Sequence, residues 1–285
     1  MKKNFFSKNL FNKIKKIIKL DQVGLHEPMI EKDDLISIKK CLISGYVSYK
    51  SNLVNNFEKK LSQYTKSKYV IATSTGTSAL HISYLCLGIK PNDEILMPSI
   101  NFIAAANAAI YCNAIPHFID VEKNFPSIDA SKLEDYLQKN TSFRKKACIN
   151  KNTGRTIKAL VFLHPFGLAG NIIKIKTLCK KFKIKIIEDA AESVGSFYKG
   201  KHLGTFAEVG ILSFNGNKLI TTGGGGAILT SNKKLAEYAK FLSTTAKNSK
   251  SLNFKFDEVG YNYRMPGLNA AFGLSQLKKL NKIIK

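Results

Sequence analysis

The chain has 285 residues and a formal charge of +25, with 44% hydrophobic residues, enough to build one large α/β domain or two smaller ones around a sizeable core and too much for a disordered chain. Only three of its 45 basic residues are arginine (Arg144, Arg155 and Arg264); the side chain best suited to gripping phosphate backbones is nearly absent and the lysines are dispersed, so no nucleic-acid partner is expected. The five cysteines form no CxxC pair, which argues against a disulfide framework or a metal site and for a reducing cytoplasm, and neither a membrane span nor a secretory signal is expected.

Residues 1–20, MKKNFFSKNLFNKIKKIIKL, place Leu10, Phe11, Ile14, Ile17 and Ile18 at helical spacing with lysines between them. This is a basic amphipathic helix, which either packs on its own protein, the commoner outcome, or makes peripheral contact with an anionic membrane. From Lys68 onward short apolar runs alternate with helical patterns: KYVIAT, then a helix from Thr77; EILMP, then a helix from Asn101; IPHFIDV, then DASKLEDYLQ. IKALVFL follows, then a helix over 172–182, then IKIIED and EVGILSF. The segment 140–156, rich in lysine, asparagine and threonine, reads as a loop or an excursion between two strands. Strands separated by helix-length segments predict a mostly parallel sheet covered on both faces, with ligands beyond the carboxyl ends of the strands.

Several polar residues fall at those ends. In TSTGTSALH (73–81) a strand gives way to a helix; Gly76, Thr77 and Ser78 either form an ordinary N-cap or present amides and hydroxyls to a phosphate. Asp189 closes IKIIED and precedes Glu192; its carboxylate either caps the next helix or pairs with a protonated ring nitrogen. Lys218 lies in SFNGNKLITTGGGG, at the end of a strand and just before four glycines, in either a flexible surface loop or a place where backbone must approach something closely. Phe102 is either a core aromatic or a ring-stacking side chain. An amine to condense with an aldehyde, a carboxylate to keep a ring nitrogen protonated and an anion nest together make the set that pyridoxal phosphate requires.

These motifs, with LHEPMI (25–30), GYVS (45–48), NFIAAANA, EDAAESVGS and GYNYRMPGLNAAFG (260–273), run in order over most of the chain and resemble the DegT/DnrJ/EryC1/StrS family of nucleotide-sugar aminotransferases, most closely its LegC-type members of bacillosamine and legionaminic acid style pathways. The resemblance implies a fold-type I pyridoxal 5'-phosphate domain. It matches Lys218 to the lysine that bonds the cofactor, Asp189 to the ring-nitrogen partner, and Glu192 to the residue near the ring hydroxyl. It likewise matches Gly76, Thr77 and Ser213 to phosphate contacts, Phe102 to the stacking position, and Asn262 to an asparagine supplied by the neighbouring subunit of a homodimer with a shared active site. The implied activity is cytoplasmic transfer of an amino group, with glutamate as donor, to a UDP-linked 4-keto-6-deoxy sugar for surface glycans. A dehydratase of the same family, which lacks the lysine, and a catalytically inactive member are the alternatives. The expected organisation is the amphipathic helix (1–20), a large cofactor-binding domain (21–250) and the start of a C-terminal region (251–285), of which relatives carry more; a truncated gene, a fragment and a split protein all remain open.

Overall fold

The alternation of apolar runs and helices is built into one central sheet. The computed structural model describes residues 2–18, 26–247, 256 and 258–285; the expected domain boundaries, 20/21 and 250/251, lie outside these described residues. Helices α1 (Lys2–Ile18), α2 (Lys32–Ser44) and α3 (Asn52–Thr65) come first, then β1 (Tyr69–Thr73), α4 (Gly76–Cys86), β2 (Glu94–Pro98), α5 (Ala104–Tyr111) and β3 (Ile115–Ile119). The short strands β4 (Val121–Glu122) and β5 (Phe125–Ile128) precede α6 (Ala130–Asn140), and β6 (Thr141–Arg144) and β7 (Ala147–Asn150) precede β8 (Ile157–Leu163), α7 (Ile172–Phe182) and β9 (Lys185–Asp189). The chain continues through β10 (Phe197–Tyr198), β11 (Lys201–His202), β12 (Val209–Ser213), β13 (Gly226–Thr230), α8 (Lys233–Ser243) and α9 (Gly267–Ile284).

Seven strands pair in the order β1-β13-β12-β9-β8-β2-β3. From β12 through β9, β8 and β2 to β3 the pairs are parallel, while β13 is antiparallel to β1 and β12. The expected mostly parallel sheet is therefore present, and the carboxyl ends of β1, β12, β9, β8 and β2 open on one edge together with the start of β13. Alternate residues of each strand bury opposite faces. Ile95, Val161, Ile187 and Ile211 pack under α4, α5 and α8; Leu96, Leu160, Phe162 and Ile186 pack under α6 and α7; Leu212 and Leu229 pack under α3 and α9. Covering both faces is why these strands read as nearly unbroken apolar runs; each large side chain so buried contributes about 1.5–3 kcal/mol.

Helix ends follow local chemistry. Asp129 accepts the backbone N–H groups of Ser131 and Lys132 at the start of α6, Asn171 accepts that of Lys174 at the start of α7, and Lys183 in left-handed conformation (φ 57°) closes α7, each satisfying backbone groups that a helix end leaves unpaired. α9 packs Ala270 and Leu280 into the same cluster as Phe57 and Leu61 of α3, and its Lys279 ammonium lies 2.5 Å from the buried carboxylate of Asp34 on α2. The stretch expected to begin a C-terminal region thus contributes to the core beside the sheet.

Three local expectations are narrowed or corrected. Of the two readings of segment 140–156 the excursion holds and the plain loop does not: β6 and β7 pair antiparallel, with Arg144 opposite Ala147. The turn between them puts Lys145 and Lys146 at φ 49° and 69°, the left-handed pair a two-residue hairpin turn demands and Asn-Gly ordinarily signals. The helix expected from Asn101 starts at Ala104. Lys218 does not end a strand: β12 stops at Ser213, and the lysine sits in the following loop, its N–H donating to the Asn215 carbonyl at 3.0 Å.

Candidate active site

The carboxyl edge of the sheet holds a cavity of about 590 Å³ lined by Gly76, Thr77, Phe102, Asp189, Glu192, Ser213 and Lys218, among others. Seven of the eight residues matched to cofactor roles in the sequence therefore meet in one place, brought there from four separate strand ends.

The wall at the start of α4 is a helix N-terminus with its cap already assigned. Thr75 Oγ1 accepts the Ser78 N–H and Ser78 Oγ accepts the Thr75 N–H, both at 3.0 Å, a reciprocal capping box. The amides of Gly76 and Thr77, the first two of the helix, have no such partner among the described residues, so they remain as donors where the helix dipole favours an anion. The two readings of TSTGTSALH thus divide between residues: Thr75 caps, and the next two amides face the cavity. A Cβ on Gly76 would lie 3.2 Å from Ser213 Cβ, so a larger residue there crowds the hydroxyl beside the nest. Of the glycine run, Gly223 adopts φ 80°, and a Cβ on Gly226 would run into the backbone of Thr75 and Gly76. Close backbone approach to the α4 terminus, rather than looseness, is what those glycines provide.

Asp189 ends β9 with 4% of its surface exposed. One carboxylate oxygen accepts the Ala191 N–H at 3.2 Å. Burial pushes its carboxyl above the usual carboxylate range, against the smaller opposing pulls of the Ala191 N–H and the charges of Lys218 and His164. A carboxylate this buried calls for a cation opposite it. Lys218 Nζ stands 3.3 Å from Glu192 Oε1, and Glu192 Oε2 accepts the Phe166 N–H at 2.9 Å, so the amine is held over the cavity by a carboxylate that is itself anchored. Phe102 is 72% exposed and is no core aromatic; it lies open at the cavity wall.

Asn262 is not brought to this cavity within the chain. It is exposed, and its Oδ1 accepts Nε and Nη2 of Arg264 at 3.1 and 3.0 Å, while that guanidinium stacks 3.6 Å above the Tyr49 ring.

Two features escaped the sequence reading. Asn101 lines the cavity with both atoms of its side-chain amide buried and without a hydrogen-bond partner, a state native interiors rarely keep unless a ligand completes it. Beneath the site, fully buried Glu188 accepts His164 Nε2 at 2.9 Å, Gly204 N–H at 2.8 Å, and the Phe206 and Ala207 N–H groups at 2.6 Å. Because the carboxylate is filled with donors, it fixes the loop behind β9; a glutamate directly after the apolar pair Ile186–Ile187, inside a strand, was the available signal. The cavity as a whole suits a phosphorylated, cationic ring bearing a carbonyl: amides for the anion, Asp189 for the ring cation, Lys218 for the electrophile and Asn101 for a remaining polar group.

The sequence profile described as the DegT/DnrJ/EryC1/StrS aminotransferase family matches residues 28–285. The chain is 33% identical over 263 residues to the GDP-perosamine synthase of Caulobacter vibrioides, covering 92% of this chain and 66% of that protein. It is 36% identical over 253 residues to the UDP-4-amino-4,6-dideoxy-N-acetyl-beta-L-altrosamine transaminase of Campylobacter jejuni, covering 88% of this chain and 63% of that one. Among solved structures, Helicobacter pylori PseC, an aminotransferase involved in the biosynthesis of pseudoaminic acid, superposes with a TM-score of 0.82 at 27% identity over 92% of this chain and 67% of its own. The chain thus spans roughly two thirds of the length of these relatives.

Proposed function

The chain belongs to the DegT/DnrJ/EryC1/StrS aminotransferase family, whose cofactor is pyridoxal 5'-phosphate, and from that membership we propose that it transfers an amino group to the 4-keto carbon of a UDP-linked 6-deoxy sugar, in the manner of a LegC-type enzyme, with glutamate as donor. The observation that carries this reading is the convergence of Lys218, buried Asp189 and the two unpartnered amides of Gly76 and Thr77 on one cavity. The choice of a nucleotide-linked amino sugar draws on the names of the Campylobacter and Caulobacter relatives, and the choice of UDP over GDP on the former. Five free thiols fit a reducing cytoplasm, where nucleotide sugars are made.

When bound, the cofactor supplies an electrophilic carbonyl and an electron-withdrawing ring. The protein's part is as follows. Gly76 and Thr77 N–H groups, with Ser213, would hold the phosphate; Asp189 would keep the proton on the ring nitrogen; Phe102, open at the cavity wall, would supply the stacking side chain. Lys218 Nζ, held 3.3 Å from Glu192, would be the group that takes up and returns the proton during amino transfer. Glu192 then holds the amine in place between turns. Asn262 serves the site of a second copy. Its exposure and the open apolar rim of Phe102 and Phe166, 72% and 77% exposed, support a homodimer that covers each cavity from the other side.

The test is to incubate the protein with cofactor, glutamate and a UDP-4-keto-6-deoxy sugar. Release of 2-oxoglutarate in equal amount to 4-amino sugar is expected. Conversion of the sugar without 2-oxoglutarate, or preference for a GDP-linked sugar, would remove the donor or the nucleotide from the reading.

A further inference from the structure

α1 carries an apolar stripe that the protein leaves uncovered. Leu10, Phe11, Ile14 and Ile17 are 49%, 62%, 44% and 80% exposed, so among the described residues the expectation that this face packs on the protein's own body is not met. On a helical wheel these four residues fall on one arc, while Lys8, Lys15 and Lys16 fall on the other. Residues 1–20 hold seven lysines and no aspartate or glutamate. The helix spans 17 residues, and no described helix is long and apolar enough to cross a membrane. An uncovered apolar stripe flanked wholly by positive charge matches one environment: a surface that is apolar in depth and anionic at its face.

We propose that α1 lies in the plane of an anionic lipid bilayer, its apolar stripe set among the acyl chains and its lysines against the headgroups. This surface is separate from the cavity at the sheet edge and would tether the protein without altering the site. The charge pattern favours lipid over a second copy of the chain, since two such helices facing each other bring lysines together with no acidic residue within either to offset them. It also distinguishes α1 from α2, whose exposed Leu35, Ile36, Leu42 and Ile43 share their helix with Asp33 and Asp34 as well as lysines.

The experiment is sedimentation of the full-length protein with vesicles of phosphatidylcholine alone and with vesicles of equimolar phosphatidylcholine and phosphatidylglycerol, at low and high salt. Binding is expected only to the anionic vesicles, weakening as salt rises. The double variant Phe11→Asp/Ile14→Asp should lose binding at least about a hundredfold, because two deeply set side chains become charged. Lys13→Gln/Lys16→Gln should weaken it about thirtyfold, at roughly fivefold per lysine. Both variants should keep the wild-type melting temperature, since the changed positions are exposed. Equal sedimentation of the Phe11/Ile14 variant and wild type would overturn the proposal, by assigning the binding to the net charge of the chain at large. Absence of wild-type binding to anionic vesicles would overturn it as well. So would a lipid-free oligomer, seen by analytical ultracentrifugation, that the Phe11/Ile14 variant dissociates, since a second copy would then be the occupant.

Discussion

Replacing Asp189 with asparagine separates what the site costs the fold from what it gives the cofactor. The carboxyl is 4% exposed, and burial, the largest influence, raises its affinity for a proton above that of the unfolded chain. The sign follows from linkage: the folded state holds this proton more tightly, so the group favours folding below the ordinary carboxylate range, and that advantage is lost as pH rises through the folded value. At neutral pH Asp189 is therefore a buried charge maintained at a cost. The asparagine keeps the shape and the oxygen that accepts the Ala191 N–H but removes the charge, so the cofactor-free Asp189→Asn variant should be more stable at neutral pH by about 0.5–2 kcal/mol, or about 1–5 °C in Tm for a chain of this size. The difference should shrink toward acid. With cofactor wild type gains the more. Wild type at about a hundredfold excess over Kd gains about 2.7 kcal/mol; the variant lacks a charge-assisted hydrogen bond worth about 1.5–3 kcal/mol, so its gain should fall to about 1 kcal/mol or less. Melting curves of both proteins across pH, with and without pyridoxal 5'-phosphate, give all four quantities. An asparagine variant that is less stable than wild type at neutral pH, or that gains as much from cofactor, would refute this reasoning.

Two other outcomes follow from the same geometry. Gly76→Asp places a carboxylate and a Cβ 3.2 Å from Ser213 Cβ, beside the two free amides; cofactor affinity should drop by at least about a hundredfold through charge and steric opposition, with the far-ultraviolet circular dichroism unchanged, and an unchanged Kd would remove the phosphate assignment. His202 is buried and its imidazole is pushed down to about 4, chiefly by burial, with Nδ1 against the Leu203 carbonyl and Nε2 accepting the Gly195 N–H at 3.2 Å. A depressed folded value stabilises the fold above the unfolded histidine's range, and that stability is lost as pH falls toward the folded value. Between pH of about 6.5 and about 4 this loss is on the order of 3 kcal/mol, and His202→Gln should flatten this part of a urea-melt series, which a curve parallel to wild type would contradict.

Most of the sheet was legible because its strands are buried on both faces and carry unbroken apolar runs; β9 and α7 fall where IKIIED and the periodicity over 172–182 place them. β13 was not foreseen, since GAILT is short and follows the glycines directly, and its antiparallel direction depends on its neighbours. The β6–β7 hairpin was hidden by a lysine pair standing where Asn-Gly is usual. At the site, residue types at and just beyond strand ends were enough to gather Gly76, Thr77, Asp189 and Lys218, while Ser213 came only from the family resemblance. What a linear reading could not supply was pairing across elements: the Glu192–Lys218 contact spans 26 residues of sequence and Glu188–His164 spans 24, and Asn262 finds its partners in Arg264 and, through it, Tyr49. Exposure, too, is a tertiary quantity, and it alone decides that Phe102 and the stripe of α1 are uncovered.

The whole site turns on Lys218 being the residue to which the cofactor bonds. To test it, purified protein is incubated with pyridoxal 5'-phosphate, reduced with borohydride, digested and mapped by mass spectrometry. One dominant peptide is expected, carrying the reduced cofactor on Lys218 and disappearing when Lys218→Ala is treated in the same way. Label distributed over surface lysines in a chain so rich in them, or located on another residue and retained in Lys218→Ala, would contradict that assignment.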